Sequence, residues 1–517
     1  MVPCSNEVPK SYEGPTMLNG TMIDKTIRRK KLLFYASFVT ILLLTGFLVF
    51  WSVLTLPIMD WDEARHGVNA FEMIANNNYL VHTYDGEIDY WNLKPPLSMW
   101  QIVLSYLIFG FNNLGLRFFS AVYLIAITAF SMLFMKKTFG FVAALGTGLF
   151  FALFGYRFMH LFTTADPDAL HVFLCFLICL FLYRAIKGDS KNLVGVGFFL
   201  SLDFLTKATH VVSIGLVVVL SLLLLRKTKK FSAREIFLYL GIPTVLPSLL
   251  WMALRFSQDG FLFFVKMIEV DVLGRVSVAA ESNSGGLLYY FQSTAWFIGL
   301  IESLMILALL VVFIVVLIRK KADVDKPFLV IFGLILIVPF AFYTLMTTKL
   351  PWYVYPSLIG LAMLIGYACH VLLPLLWQKK KGVVALCCIL VVFAASIFVD
   401  PYISNQLAQR NEHTRSIFWE IDNSSGIDLL KAKDYYGISI DGNEILIPQS
   451  WLLEGYFLGY NHLKGNLDDL NNRKEVALLL LQYNDQQELD RFTASNQNMR
   501  LLIVYEGYAL FSSVFIP

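Results

Sequence analysis

The sequence predicts a mainly α-helical, polytopic membrane protein of about 11–13 spans that ends in a small soluble α/β domain. Three observations carry that expectation. Hydrophobic residues make up 57% of the chain and charged residues only 15%, whereas soluble proteins carry about 25% charged residues. The apolar residues come in long blocks: Leu32–Leu56 runs without a formal charge, and about 20 residues suffice to cross a bilayer. From Asp400 onward the charges become frequent and the apolar runs shorten.

The first block is followed by no small-residue cleavage site and reads as a retained anchor. Further apolar blocks near 115–135, 140–156, 167–185, 192–206, 208–225, 236–256, 287–318, 328–345, 353–377 and 383–399 bring the expected spans to eleven. Basic clusters at Arg28–Lys31, Lys136-Lys137, Arg184/Lys187/Lys191, Arg226–Lys230, Arg319–Lys321 and Lys379–Lys381 mark cytosolic ends. That assignment puts 57–114, 157–166, 257–286, 346–352 and everything after 400 outside. Leu97–Phe109 starts outside and is too short to cross, so it is expected to be an interfacial or re-entrant helix.

Three regions follow. Residues 1–31 read as a disordered cytosolic tail, 32–400 as the transmembrane domain with outer loop 57–114, and 401–517 as an external α/β domain. In the last, Ile438–Ile447 and Val476–Leu481 read as strands, Gln449–Tyr460 as a helix and Arg500–Phe515 as one or two closing strands. The six cysteines show neither a disulfide framework nor a zinc spacing. Asn423-Ser424-Ser425 is a formal glycosylation sequon.

The candidate chemistry gathers on the outer side. Asp60, Asp62 and Glu63 follow the first span within about one turn, where a carboxylate is partly desolvated and its proton affinity is expected to rise, as suits a general base. Solvated loops are often acidic, so a wet surface is the competing reading. Lys94-Pro95-Pro96 opens the short helix; its lysine either snorkels at the boundary or, beside a helix N-terminus, attracts a phosphate. Asp166 and Asp168 either cap the next inward helix or join a site with Asp62, with Arg157 and His160 as ion partners. Lys94, Lys207, Arg275 and Lys349 are four cations from four separate outer segments, a set that an anionic, membrane-soluble ligand would explain. The chain has no Walker loop, dinucleotide fingerprint or HExxH, so a transferase must receive an already activated donor.

Asp62-Glu63-Ala64-Arg65, Glu72-Met73, Gly86, Lys94-Pro95-Pro96-Leu97, Arg117, Gly140, Asp166-Pro167, Leu205-Thr206-Lys207 and Lys349-Leu350-Pro351-Trp352-Tyr353 resemble, in order and spacing, the GT-C type glycosyltransferases. The branch they resemble joins the aminoarabinose lipid A transferases and the protein O-mannosyltransferases. The resemblance spans about residues 30–400. It implies inverting transfer from a polyprenyl-phosphate sugar to a lipid, glycan or protein acceptor on the non-cytosolic face of a membrane, in a bacterium the inner or cell membrane. It implies no nucleic-acid partner. Asp62 matches the catalytic carboxylate and Asp166 the second acidic motif. Lys94 matches the donor-phosphate lysine, Arg275 a phosphate-contacting arginine, and Glu63, Arg65, Lys207, Lys349 and Tyr353 further substrate-binding positions.

Two positions depart from the family pattern. Leu93 stands where an acid usually precedes the Lys-Pro-Pro, and Lys207-Ala208-Thr209 replaces Lys-Gly-Pro. The first leaves metal use open: no cofactor is implied with certainty, and a divalent metal remains an option. The competing function is a transporter or flippase of a lipid-linked anion, which should show coupling charges at mid-membrane or broken helices in two matching halves.

Overall fold

The computed structural model describes residues 19–274, 283–320, 324–377, 416–418, 434–473, 476–505 and 507–513. Arg275, the sequon and the expected span 383–399 lie outside them.

The first helix, α1, runs Asn19–Thr55 and so begins inside the stretch expected to be a disordered tail. It is followed by α2 (Asp62–Ala75), the antiparallel pair β1 (Thr83–Tyr84) and β2 (Glu87–Ile88), and α3 (Leu97–Phe109). Next come α4 (Asn113–Thr138), α5 (Phe141–Phe154), α6 (Pro167–Lys187), α7 (Leu193–Lys207) and α8 (Val211–Leu224). Local chemistry sets several boundaries. Asn112 caps α4 by accepting from the Gly115 amide at 2.9 Å, and Pro167 occupies the first turn of α6, where its missing N–H costs nothing.

Among the described residues, eight helices are long and apolar enough to cross a membrane, the others later in the chain being Ala233–Asp259, Leu300–Arg319, Lys326–Thr344 and Ser357–Leu375. One of the eight, Ser190–Leu224, doubles back. Ala208, with φ of 41°, separates α7 from α8. Lys207 at the turn pairs with Asp168 at the start of α6 (2.6 Å), while Lys229 beyond α8 reaches the Gly188 carbonyl at its end (3.2 Å). With the shorter apolar helix α5, the described chain therefore supplies ten apolar legs, matching every expected block except 383–399.

Polar residues sort to the two ends of this bundle. At one end Lys187 pairs with Asp325 (3.1 Å) and Ser190 with Glu235 (2.6 Å), among the basic clusters. Asp62, Lys94, Asp166 and Lys207 gather at the other. Between the ends the interior is packed with aromatic and branched side chains such as Phe151, Phe176, Phe328 and Ile359. Leu43, Phe47, Leu54, Val312, Ile314 and Ile318 point outward. An apolar outer belt is the reverse of a soluble surface and identifies an integral membrane protein.

Helix α3 has the expected bounds and packs at the site end, where Trp100 donates to the Tyr79 carbonyl (2.7 Å) and Tyr106 meets Phe457. The C-terminal domain is a five-stranded sheet of order β4-β3-β5-β7-β6: β3 (Asp434–Ser439), β4 (Asn461–Leu463), β5 (Leu478–Gln482), β6 (Met499–Tyr505) and β7 (Tyr508–Ser513). β3 runs parallel to β4 and β5, and β7 antiparallel to β5 and β6. The strand expected at Ile438–Ile447 lies earlier. After Ser439 the chain reverses through Gly442, at φ of 81°, and Ile445 donates back to the Gly437 carbonyl. The expected helix is present as Gln449–Phe457, seated on α2 with Leu453 against Gly67 and with Phe71 stacked on Tyr456 (4.5 Å).

Candidate active site

The site is built on the first turn of α2, held from below by its second residue. Glu63 is fully buried and takes both arms of Arg117 at 2.6 Å. It also accepts from the Met59 and Ala165 amides, each at 2.9 Å. Arg117 in turn donates to the carbonyls of Val53, Leu56 and Pro57. One ion pair thus joins the end of α1, the start of α2, α4 and the segment before α6. Two left-handed residues flank the carboxylates it positions: Trp61 (φ 67°), just before Asp62, and His160 (φ 55°). Such backbone strain persists only where the surroundings impose it.

Asp62 faces Lys94, with Nζ 3.8 Å from Oδ1 and both side chains partly exposed (26% and 20%). The lysine is steadied by a polar chain. Its Nζ donates to Asn92 Oδ1 (3.3 Å), Asn92 donates to Asn69 (2.7 Å), and Asn69 donates to Asp89 (3.1 Å). Asp89 holds Arg65 at two points, 2.7 and 2.8 Å. The Arg65 guanidinium lies over the rings of Tyr84 and Trp91. Burial would raise the Asp89 pKa, but the Arg65 contacts hold it at about 2.

Behind Asp62 stand His160 and Asp166, and the ligand atoms of the three lie within 4.8 Å of one another. Asp166 occupies the N-cap position of α6 without capping it. Its side chain instead meets His160 Nδ1 (2.9 Å) and His66 Nδ1 (3.5 Å). Burial alone would lower the His160 pKa, yet the Asp166 carboxylate, with Asp62 and Asp168, raises it to about 9. For Asp62 the expected rise does not occur. Desolvation pushes its pKa up, but Lys94 and the two imidazoles outweigh both burial and Asp166 and hold it below the usual carboxylate value. Asp62 is therefore ionised at neutral pH, the form a base requires.

The family model of dolichyl-phosphate-mannose-protein mannosyltransferases matches residues 93–251. An uncharacterized protein of Aquifex aeolicus is 26% identical over 60% of this chain and 68% of its own. Undecaprenyl phosphate-alpha-4-amino-4-deoxy-L-arabinose arabinosyl transferase 2 of Proteus mirabilis is also 26% identical, over 59% of this chain and 54% of its own. ArnT from Cupriavidus metallidurans, solved bound to undecaprenyl phosphate, superposes with a TM-score of 0.66 at 16% identity, covering 93% of this chain and 98% of that one. The chain has the GT-C glycosyltransferase fold.

Within that fold the sequence-predicted residues divide. Asp62, Lys94 and Asp166 come together. Glu63 and Arg65 are engaged by Arg117 and Asp89 and support the site from beneath. Lys207 is buried against Asp168 at 2.6 Å and lies 5.6 Å from the Tyr353 ring. Lys349 is buried and donates to the Met346 carbonyl (2.6 Å); its segment reaches the site through Trp352, whose ring lies 4.2 Å from that of His160. Arg157, the other partner expected for Asp166, donates instead to the Ile298 carbonyl (3.2 Å). Sequence reasoning missed His66, although it stands four residues after Asp62 and so on the same face of α2. It also missed Asn69, Asp89 and Asn92, whose part depends on a loop fold that no spacing shows. The departures Leu93 and Ala208 share one apolar cluster with Leu205, Trp251 and Phe263, so the position of the usual acid is dry here.

Proposed function

We propose that this membrane glycosyltransferase takes a sugar from a polyprenyl-phosphate donor and passes it, with inversion, to a hydroxyl of a lipid, glycan or protein acceptor at the non-cytosolic membrane face. The observation that carries the reading is the pairing of Asp62 and Lys94 across 3.8 Å, from separate elements, at a partly open position. In a single displacement the acceptor oxygen bonds to the anomeric carbon as its proton passes to Asp62. The bond from that carbon to the phosphate oxygen breaks with its electron pair. Lys94 holds the phosphate and stabilises its growing negative charge. His160, cationic at neutral pH, adds positive potential beside it, and the family resemblance assigns Arg275 of the later outer loop a further phosphate contact. A divalent ion would fit the donor set Asp62, His160 and Asp166 only in place of the His160 proton, and when bound it would supply the positive charge instead.

A lipid carrier is supported by an apolar cavity of about 840 Å³ lined by Phe291, Leu304, Leu307, Phe340 and Leu358. Tyr355 on its wall donates to the carbonyl of Met159, next to His160 (2.8 Å). The Proteus mirabilis transferase is named for an undecaprenyl phosphate sugar and ArnT was solved bound to undecaprenyl phosphate, which supports the same carrier here. The basic end of the bundle lies in the cytosol under the positive-inside rule, which puts the site and the domain after residue 400 outside.

The test is turnover by purified, reconstituted protein given labelled undecaprenyl-phosphate sugar and a panel of lipid, glycan and peptide acceptors. Release of undecaprenyl phosphate with a product of inverted configuration is expected. Movement of intact donor across vesicles without bond cleavage would favour the transporter instead.

A further inference from the structure

One helical turn deeper than the Asp168–Lys207 pair, α6 and α7 face each other across a second polar cluster that sugar transfer does not use. His171 and Cys175 stand four residues apart on α6, hence on one face, and Asp203 opposes them from α7. His171 Nδ1 lies 2.6 Å from Asp203 Oδ1 and 3.8 Å from Cys175 Sγ. All three residues are sealed from solvent, and their ligand atoms lie within 4.8 Å of one another. His171 Nε2 and Asp203 Oδ2 are buried with no hydrogen-bond partner among the described residues. A simple ion pair accounts for the 2.6 Å contact. It does not account for a bare carboxylate oxygen in an apolar bundle, nor for a thiol placed against the same imidazole.

We infer that His171, Cys175 and Asp203 form a binding site for a borderline-soft divalent transition metal, zinc above all. The donor set selects the ion. A thiolate and an imidazole are poor ligands for magnesium or calcium, and a carboxylate is a poor one for copper(I). Zinc takes four ligands at about 2.0–2.3 Å, which sets its ligand atoms roughly 3–4 Å apart. The 3.8 Å between sulfur and nitrogen already fits. The 2.6 Å contact must open by less than about 1 Å, which rotation of the carboxylate toward Oδ2 supplies. Charge suits the site too. A doubly charged ion held by one thiolate, one carboxylate and a neutral imidazole leaves no net charge, as an apolar interior demands. The bound ion pins α6 to α7 beneath Lys207, one turn from the site. No zinc spacing shows in the sequence because the third ligand comes from the neighbouring helix.

The experiment uses tag-free, full-length protein purified in detergent, with metal content read by mass spectrometry. Stoichiometric zinc is expected in the wild type and in His160→Gln, which alters the other carboxylate–imidazole cluster, and loss is expected in Cys175→Ser and His171→Gln. Cobalt(II) exchanged into the wild type should give thiolate-to-metal charge-transfer absorption that Cys175→Ser lacks. Should the variants misfold, X-ray absorption at the zinc edge of the wild type decides, with one sulfur among the ligands expected. A wild type that takes up neither zinc nor cobalt overturns the inference. So does metal without a sulfur ligand, or metal lost from His160→Gln and kept by Cys175→Ser.

Discussion

The Glu63 carboxylate meets the Arg117 guanidinium at two points, each 2.6 Å, with neither side chain exposed to solvent. A buried pair of this kind contributes little net stability when compared with an apolar pair, but breaking it is costly because one charge is left uncompensated. Glu63→Gln keeps the shape and leaves Arg117 charged. The expected loss is about 3–5 kcal/mol, read as a lowered melting transition in detergent. A melting temperature equal to that of the wild type would remove the pair from any organising role.

Asp62→Asn keeps the hydrogen-bonding outline and removes the proposed base. Turnover should fall by about 10²–10⁴-fold, the usual cost of losing general-base catalysis, while donor affinity is retained. Full activity in this variant would exclude Asp62 from the chemistry.

Lys94→Ala should act on the donor. A charge-assisted bond to phosphate contributes about 1.5–3 kcal/mol, so donor affinity should fall by roughly 10–150-fold. Binding of labelled donor separates this from the Asp62 effect. An unchanged affinity with reduced turnover would assign Lys94 to another step.

The His160–Asp166 pair sets a pH window for stability. The folded-state pKa of His160, about 9, lies above its unfolded value of 6.5. Its contribution is therefore fully present below pH 6.5 and is lost as pH rises through 9. The shift corresponds to on the order of 3 kcal/mol. The wild-type melting temperature should fall between pH 6.5 and 9 by more than that of His160→Gln. Parallel curves for the two proteins would contradict the pairing.

Much of this architecture was legible because the physics behind it is local in sequence. Apolar length marks spans, basic clusters mark one end of the bundle, and the 13-residue α3 betrays itself by being too short. Asp62, Lys94 and Asp166 could be selected because each stands at an outer membrane boundary, where a charge is expensive, within a motif that resembles the GT-C pattern. The direction of the Asp62 pKa could not be read, since it depends on Lys94, His66 and His160 arriving from three elements. For the same reason Glu63 and Arg65 looked like ligand contacts, while their partners, Arg117 and Asp89, lie tens of residues away. In the sheet, the apolar alternation at 438–447 drew the strand too late. The turn at Gly442 folds those residues back on β3, and chain reversal is weakly written in side-chain periodicity.

The contact between the soluble domain and α2 offers a last test. A side chain at Gly67 would place its Cβ 2.4 Å from Leu453 Cδ2 and 3.0 Å from Leu116 Cδ1. Gly67 thus lets the helix Gln449–Phe457 lie close on α2, one residue beyond His66. The same interface carries the Ser450 amide to Asp60 Oδ1 (2.8 Å), Tyr456 to Glu72 (3.3 Å) and His462 to Asp85 (3.0 Å). Gly67→Val overpacks this contact, at a cost of about 1–3 kcal/mol. The branched side chain should lift the domain while α2, a helix on both sides of the substitution, survives. Limited proteolysis should then cut after residue 400 faster than in the wild type. If the domain governs acceptor choice and not donor binding, transfer to the acceptor should fall with donor affinity unchanged. Adding Leu453→Ala vacates the space that the valine needs and should restore part of both the protection and the transfer. Donor affinity that falls with Gly67→Val and does not recover in the double variant would show that the domain shapes the donor site itself.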